Sequence, residues 1–408
     1  MSEVIVVFSM VAAIMALSFI GDAVSRKVLL PSVIMLIILG IVFGPLLNIF
    51  PYDSLIAAVP YVAPLTIAFI SFEAGMSMDV YKVIHQSKRA AFLSVLGFAL
   101  SMITVGAFLR FALGIRWAYA LLMASAWSGV NMAIVNAVCK YMKVQEETRV
   151  TLTMISLVDD PLVLITTLTI LNYVLLGGVG SGEIMLKLSS NVCTSIFLGV
   201  IFGLVWLNVL YFFRKGEYTY TITLAATLFV YSLTEILGGT GVIAVFLFGL
   251  IIGNYRSIIS AFRLRIRVDE LSTLESSIEK FHSELTFMLC SFFFTFIGLI
   301  YVFTGVFELF LGLACCFLLH ITKYVAAKIG TFRSPIASDV PVMGFIVGQG
   351  AASAAMSTLP IVYNLPYATV FTSIALNVIL SNNITSIVLP FLATKLAKRK
   401  ATRKGRVT

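Results

Sequence analysis

The chain has 408 residues, of which 60% are hydrophobic and 12% are charged, and its mean hydropathy is +1.04. No soluble domain buries so much apolar sequence, so the composition excludes a soluble globular protein and predicts an integral membrane protein. The basic residues behind the net charge of +9 lie in short loops and in a tail (395–408), which is typical of membrane topology rather than of nucleic-acid binding.

The hydropathy pattern predicts an all-α polytopic membrane protein with about thirteen transmembrane helices and no removable signal peptide. A polar stretch (256–283) between the ninth and tenth segments is expected to lie as a helix on the cytoplasmic surface. The segments cover residues 3–21, 29–47, 56–78, 90–111, 117–139, 149–176, 189–213, 219–237, 241–256, 284–304, 307–329, 338–360 and 367–394.

The basic residues orient these segments. With the N-terminus outside, the outer loops keep only Arg110, Arg116 and Lys187 of the 28 Lys and Arg residues. Nearly all the others fall in inner loops or in the tail, which makes the tail cytoplasmic by the positive-inside rule. The exception is Lys323, inside the eleventh segment.

Two adjacent acids, Asp159 and Asp160, interrupt the sixth segment near its middle. A charge there costs at least ~2.5–3.5 kcal/mol, so an intramembrane acid indicates a functional site. Pro161 has no N–H, which frees the carbonyl of Leu157, and Ser156 lies one helical turn before Asp160. A carboxylate, a hydroxyl and a free carbonyl are suitable ligands for a small alkali cation such as Na⁺. A buried structural pair is the alternative.

Several short motifs occur in a fixed order around this pair. They are Leu30-Pro31-Ser32 with Gly40 and Gly44-Pro45, Phe72-Glu73-Ala74-Gly75-Met76 with Asp79, Thr234-Glu235-Ile236-Leu237-Gly238, Phe281-His282-Ser283-Glu284-Leu285, and Gly348-Gln349-Gly350-Ala351-Ala352. Each motif alone is weak, but their order resembles the monovalent cation/proton antiporter superfamily of archaeal and bacterial sodium/proton exchangers. The resemblance covers nearly the whole chain.

The resemblance implies one transporter domain of inverted repeats. The first repeat would cover about 3–176 and the second about 219–394, with 189–213 as the linking helix. The fifth and twelfth segments would be interrupted and cross at the midplane. Gly129 in the fifth segment, and Gly348 and Gly350 in the twelfth, are the small residues that such breaks need. Glycines also ease ordinary helix packing, so Gly129 alone leaves both interpretations open.

One position departs from the family pattern. Exchangers resembling this chain usually carry an aspartate on the fifth helix, and here Asn131 stands at that place. The chain therefore has Asp159, Asp160 and one amide as candidate cation or proton ligands, with Ser156. The acid pair with a lysine resembles the electrogenic branch, which favours two protons per cation, whereas an Asp159 held ionised would give one-for-one exchange.

Lys323 lies where the family places a basic residue that faces these acids. An ion pair with Asp159 would compensate its charge, although a lysine near a helix end can instead extend to the lipid headgroups. Three further acids, Glu73, Glu235 and Glu284, lie close to predicted helix ends, where solvation at the membrane interface is expected.

These patterns predict a secondary-active antiporter and not an enzyme. Na⁺ is the expected cation, with Li⁺ and K⁺ as alternatives. The partners are H⁺, membrane lipid and a second copy in a homodimer, with no cofactor and no nucleic acid. The expected location is the plasma membrane. An intramembrane aspartyl protease, which needs two facing acids, and an ion channel, which needs a continuous pore, are the other classes considered.

Overall fold

The computed structural model describes residues 3–28, 32–81, 88–142, 144–177, 181–213, 219–262 and 268–404, and every regular element in these ranges is helical. The predicted all-α class is therefore confirmed. Among the described residues, six helices are long and apolar enough to cross a membrane, judged by length and composition, and six shorter apolar helices accompany them. Leu30, Pro31 and Arg263, and residues 405–408 of the tail, lie outside the described residues.

The described residues of the first half include seven α-helices. They are α1 (Glu3–Val28), α2 (Ser32–Ile41), α3 (Tyr52–Ser77), α4 (Lys88–Leu113), α5 (Trp117–Trp127), α6 (Met132–Tyr141) and α7 (Glu146–Leu175). A π-helical turn, Val42–Leu46, continues α2 and contains Pro45. Helix α7 runs unbroken through Pro161, so Asp159 and Asp160 lie in the middle of a helix of 30 residues.

The second half begins with α8 (Ser181–Phe212), α9 (Thr219–Ile236), α10 (Gly241–Gly253), α11 (Tyr255–Phe262), α12 (Val268–Leu299) and α13 (Val306–Gly330). After a 3₁₀ turn, Pro335–Asp339, the short helices α14 (Val340–Phe345), α15 (Ala351–Met356) and α16 (Leu359–Val362) lead into α17 (Ala368–Lys404).

One element differs from the sequence-based prediction. Residues 268–283, expected to form a separate helix on the surface, continue without interruption into the tenth apolar segment as α12. This stretch has no proline, and its one glycine, Gly298, lies at its far end, so nothing in the sequence ends the helix earlier.

Two apolar segments are interrupted where glycines stand in the sequence. The fifth segment divides into α5 and α6, separated by residues 128–131, and the twelfth divides into α14 and α15, separated by residues 346–350. Both breaks lie in the interior beside α7, α13 and α17, and the buried indole of Trp127 packs in the core next to the first break. The two breaks position the candidate site.

Candidate functional site

The two helix breaks are joined to each other by hydrogen bonds. The backbone N–H of Asn131 donates to the carbonyl of Gly348 over 2.9 Å. In the other direction, the side-chain amide of Gln349 donates to the carbonyl of Trp127, the last residue of α5, over 2.7 Å. The amide of Asn382 on α17 completes the connection by donating to Gln349 Oε1 over 2.9 Å. Backbone groups freed by the breaks are thus satisfied across the crossing.

Gly350 gives this crossing its close approach. A β-carbon at position 350 would collide with the side chain of Asn131, so glycine lets the two breaks meet without displacing that side chain. The predicted break residues Gly348 and Gly350 therefore lie in the second break, and Gly129 lies in the first.

Asp159 is completely buried and is held by three donors. Lys323 on α13 donates to Asp159 Oδ2 over 3.0 Å, and the backbone N–H of Val130, in the first break, donates to the same oxygen over 3.0 Å. The hydroxyl of Ser94 on α4 donates to Oδ1. Lys323 therefore forms an ion pair with Asp159 inside the bundle and does not extend toward a helix end. The pair connects α4, the first break, α7 and α13.

Asp160, the next residue, faces a different environment. It lines a cavity of about 410 Å³ together with Asn131, Ser156 and Leu157. Three of the four candidate ligand residues, Asp160, Asn131 and Ser156, are thus brought to one space, whereas Asp159 and Lys323 are not part of its lining. Consecutive residues on a helix point about 100° apart, which is why adjacent acids have different surroundings.

The oxygen atoms around Asp160 come from a local feature of α7. Pro161 cannot donate a hydrogen bond to the carbonyl of Leu157, which therefore stays available at the cavity wall. The hydroxyl of Ser156 donates to the carbonyl of Thr153 over 2.8 Å, so that bond does not use the lone pairs of its oxygen.

The sequence-based interpretation missed the opposite wall of this cavity. Glu73, expected at a membrane interface because α3 ends one turn later, lines the same cavity as Asp160. On α12, Thr286 and Cys290 face the cavity four residues apart, and the buried hydroxyl of Thr286 has no hydrogen-bond partner among the described residues. Glu284, by contrast, is exposed.

The cavity lies in the half of the bundle where α3 ends. Its lining includes Ser77, the last residue of α3, and Asn136 in α6. Toward the other end of the bundle, the amide of Asn172 on α7 donates to the hydroxyl of Thr240 at the start of α10 over 2.9 Å. The cavity and this hydrogen bond therefore lie in opposite halves of the bundle.

This arrangement suits a proton or a monovalent cation. Carboxylate, carbonyl and hydroxyl oxygens are hard ligands, and a single aspartate can hold either a proton or a cation. Within the described ranges, no group of three or more His, Cys, Asp or Glu residues is placed to hold a metal ion.

The amino-acid sequence is similar to those of known proteins. Residues 11–395 match the family described as "Sodium/hydrogen exchanger, transmembrane". The Na(+)/H(+) antiporter 1 of Methanocaldococcus jannaschii is 23% identical over 258 residues, which are 59% of this chain and 60% of that protein. The Na(+)/H(+) antiporter NhaH of Halobacillus aidingensis is 26% identical over 266 residues, covering 61% and 64%.

A third relative is named as an antiporter of K⁺ instead of Na⁺. The K(+)/H(+) antiporter NhaP2 of Shewanella sp. (strain MR-4) is 25% identical over 198 residues, which are 47% of this chain and 34% of that protein. The matches thus span less than two thirds of each of these relatives. The fold is similar to the sodium proton antiporter MjNhaP1 from M. jannaschii at pH 8, with a TM-score of 0.75 at 20% identity over 96% of each chain.

Proposed function

Since the chain belongs to the sodium/hydrogen exchanger family, we propose that it exchanges protons for a monovalent cation across a membrane, with Asp160 as the shared binding group. The family is one of transporters and not of enzymes. The observation that carries the proposal is the cavity that ends at Asp160, beside the crossing of two broken helices.

Competition at Asp160 provides the coupling. When the carboxyl group holds a proton it is a poor cation ligand, and when it holds a cation it cannot hold a proton, so one species leaves as the other binds. Asn131, Ser156 and the carbonyl of Leu157 complete the cation shell. Glu73, on the opposite wall, adds negative charge that attracts cations into the cavity.

Asp159 acts as a fixed anion in this scheme. Its ion pair with Lys323 and its hydrogen bonds to Ser94 and Val130 keep it ionised and oriented away from the cavity, so it anchors the first break beside Asp160. A shared proton between facing acids, which an aspartyl protease needs, has no support in this geometry.

Na⁺ is the first cation to test and K⁺ the second. Two of the named relatives are Na(+)/H(+) antiporters and one is a K(+)/H(+) antiporter. The oxygen groups at the cavity wall are compatible with either ion, because both are hard cations.

The transporter is proposed to have thirteen spans in two inverted repeats, 3–176 and 219–394, joined by 189–213. The scarcity of basic residues in the outer loops supports an N-terminus outside and a tail in the cytoplasm, and the plasma membrane is the proposed location. The cavity then opens to the cytoplasm, and alternating access would close it and open the other end. A homodimer is proposed from the family resemblance.

Purified protein in liposomes with a preset pH gradient tests the function. Addition of Na⁺ or K⁺ should dissipate the gradient, and Asp160→Asn should abolish the response because an amide cannot exchange a proton for a cation. Asp53→Asn, an exposed acid at the start of α3, is the matched control and should transport normally. Wild-type rates in Asp160→Asn would refute the mechanism.

A further inference from the structure

A second, much smaller cavity lies at the other end of the same helices. Its volume is about 30 Å³, which is room for one or two water molecules. We call it the outer cavity; its wall includes Ile67, Leu168, Leu171, Tyr231, Glu235 and Tyr363. Glu235 is the acid of this wall, and the mechanism above does not use it.

The outer cavity lies in line with Asp160 along α7. Asp160, Leu164, Leu168 and Leu171 follow one another at spacings of four, four and three residues, so they share one face of the helix. On α3, Ile70 lines the cavity that contains Asp160, and Ile67, one turn away, lines the outer cavity. The buried side chain of Leu164 thus lies on this helix face between Asp160 and Leu168, which lines the outer cavity.

Glu235 is oriented by a helix start. Its Oε1 accepts a hydrogen bond from the backbone N–H of Gly241, the first residue of α10, over 2.7 Å. The positive end of the α10 dipole interacts favourably with a carboxylate, and Tyr231 and Tyr363 line the same cavity as Glu235. The carboxylate is therefore held at the cavity wall, with capacity for a further ligand.

We propose that the outer cavity is the closed outer half of the ion pathway and that Glu235 is its cation-binding carboxylate, an inference that rests on the proposed antiport function. The ligand is the transported monovalent cation, which binds Glu235 and the hydroxyl groups of Tyr231 and Tyr363 before it reaches Asp160 from outside. The hydrogen bond from Asn172 to Thr240 joins α7 to α10 across this cavity, and it breaks when the outer half widens.

Cation dependence measured separately from each side tests the inference. Right-side-out and inverted vesicles give the half-saturating cation concentration at the outer and inner face. In Glu235→Gln, which keeps an oxygen acceptor for the N–H of Gly241, the outer value should rise about fivefold, equivalent to ~1 kcal/mol of lost attraction, while the inner value stays unchanged. Glu235→Asp keeps the charge, so its half-saturating cation concentration at the outer face should lie closer to that of the wild type.

The controls separate this inference from the function on which it rests. Glu183→Gln changes an exposed acid at the start of α8, outside the cavity, and should leave both values unchanged. An unchanged outer value in Glu235→Gln, or an equal change at both faces, would overturn the role of Glu235 while leaving antiport intact. A wild-type protein that exchanges no cation for protons from either face would overturn both.

Discussion

Replacement of Lys323 by methionine should destabilise the protein because it leaves a buried charge without its partner. The ammonium group lies 3.0 Å from Asp159 Oδ2, and the two side chains are only 8% and 0% exposed. Methionine retains most of the apolar stem that packs beside Gly97, so the substitution chiefly removes the charge. Among the described residues, Ser94 and Val130 would remain as the hydrogen-bond donors to the carboxylate.

The distance sets the size of the effect. Two unit charges at this separation attract each other by ~5–6 kcal/mol at an effective dielectric constant of about 20. Desolvation offsets much of this in the intact pair, but loss of one partner leaves the other desolvated, which typically costs ~3–5 kcal/mol. In an Asp159→Asn background there is no carboxylate to strand, so Lys323→Met should cost ~1 kcal/mol or less.

Thermal unfolding in detergent of the wild type, both single variants and the double variant measures this coupling. Lys323→Met should lower the midpoint strongly in the wild type and weakly in Asp159→Asn. Lys328→Met, an exposed lysine on the same helix, is the control and should have little effect in either background. Equal losses from Lys323→Met in both backgrounds would show that the ion pair does not stabilise the fold.

Three further predictions concern the cavity and the crossing. Glu73→Gln should raise the half-saturating cation concentration at the inner face about three- to tenfold without abolishing transport, because it removes charge from the cavity wall; an unchanged value contradicts this role. Gly350→Ala should abolish transport or folding, since its methyl group collides with Asn131, and normal liposome transport would contradict the tight crossing. With Asp159 paired to Lys323, one proton should exchange for one cation. The transport rate in liposomes whose membrane potential is set with valinomycin should then not depend on that potential. A voltage-dependent rate would mean that two protons move in each cycle.

The prediction of one-for-one exchange differs from the sequence-based expectation of two protons per cation, because the two acids have different surroundings in the fold. The presence of two adjacent acids and a lysine favoured a two-proton cycle, in which both acids join the cation shell. In the folded chain Asp159 points into the interface of α7 with α4 and α13, and Asp160 points into the cavity. Which acid faces which neighbour depends on the rotation of α7 against the helices packed on it, and a single sequence carries no such information.

The resemblance to the exchangers implied the two helix breaks, and local chemistry gave them partial support. Glycines at 129, 348 and 350 lower the cost of leaving the helical conformation, and the observed interruptions at 128–131 and 346–350 contain them. Glu73 was not predictable in the same way. The sequence shows that Glu73 lies near the end of α3. It does not show whether that helix end borders a cavity or a lipid surface, because both have the same sequence pattern.

The partners of Asp159 illustrate the same limit. A serine within an apolar helix, such as Ser94, gives no signal of its own, since most such hydroxyls bond to their own helix. Only the packing of α4 on α7 turns Ser94 toward the carboxylate. Lys323 could be found because a lysine in a span needs an anion, and the nearest candidates were few.

The hydrogen bonds between the two breaks have a consequence for biosynthesis. The carbonyl of Trp127 accepts a hydrogen bond from the side-chain amide of Gln349, which lies 222 residues further along the chain. At ~5–20 residues per second, a ribosome needs roughly 10–45 s to supply it. During that interval the first half is in the membrane, and the N–H of Asn131 at its helix break has yet to meet the carbonyl of Gly348. The first half therefore completes its core only when the second half inserts, and a chain truncated before Gly348 would expose unpaired polar backbone to lipid.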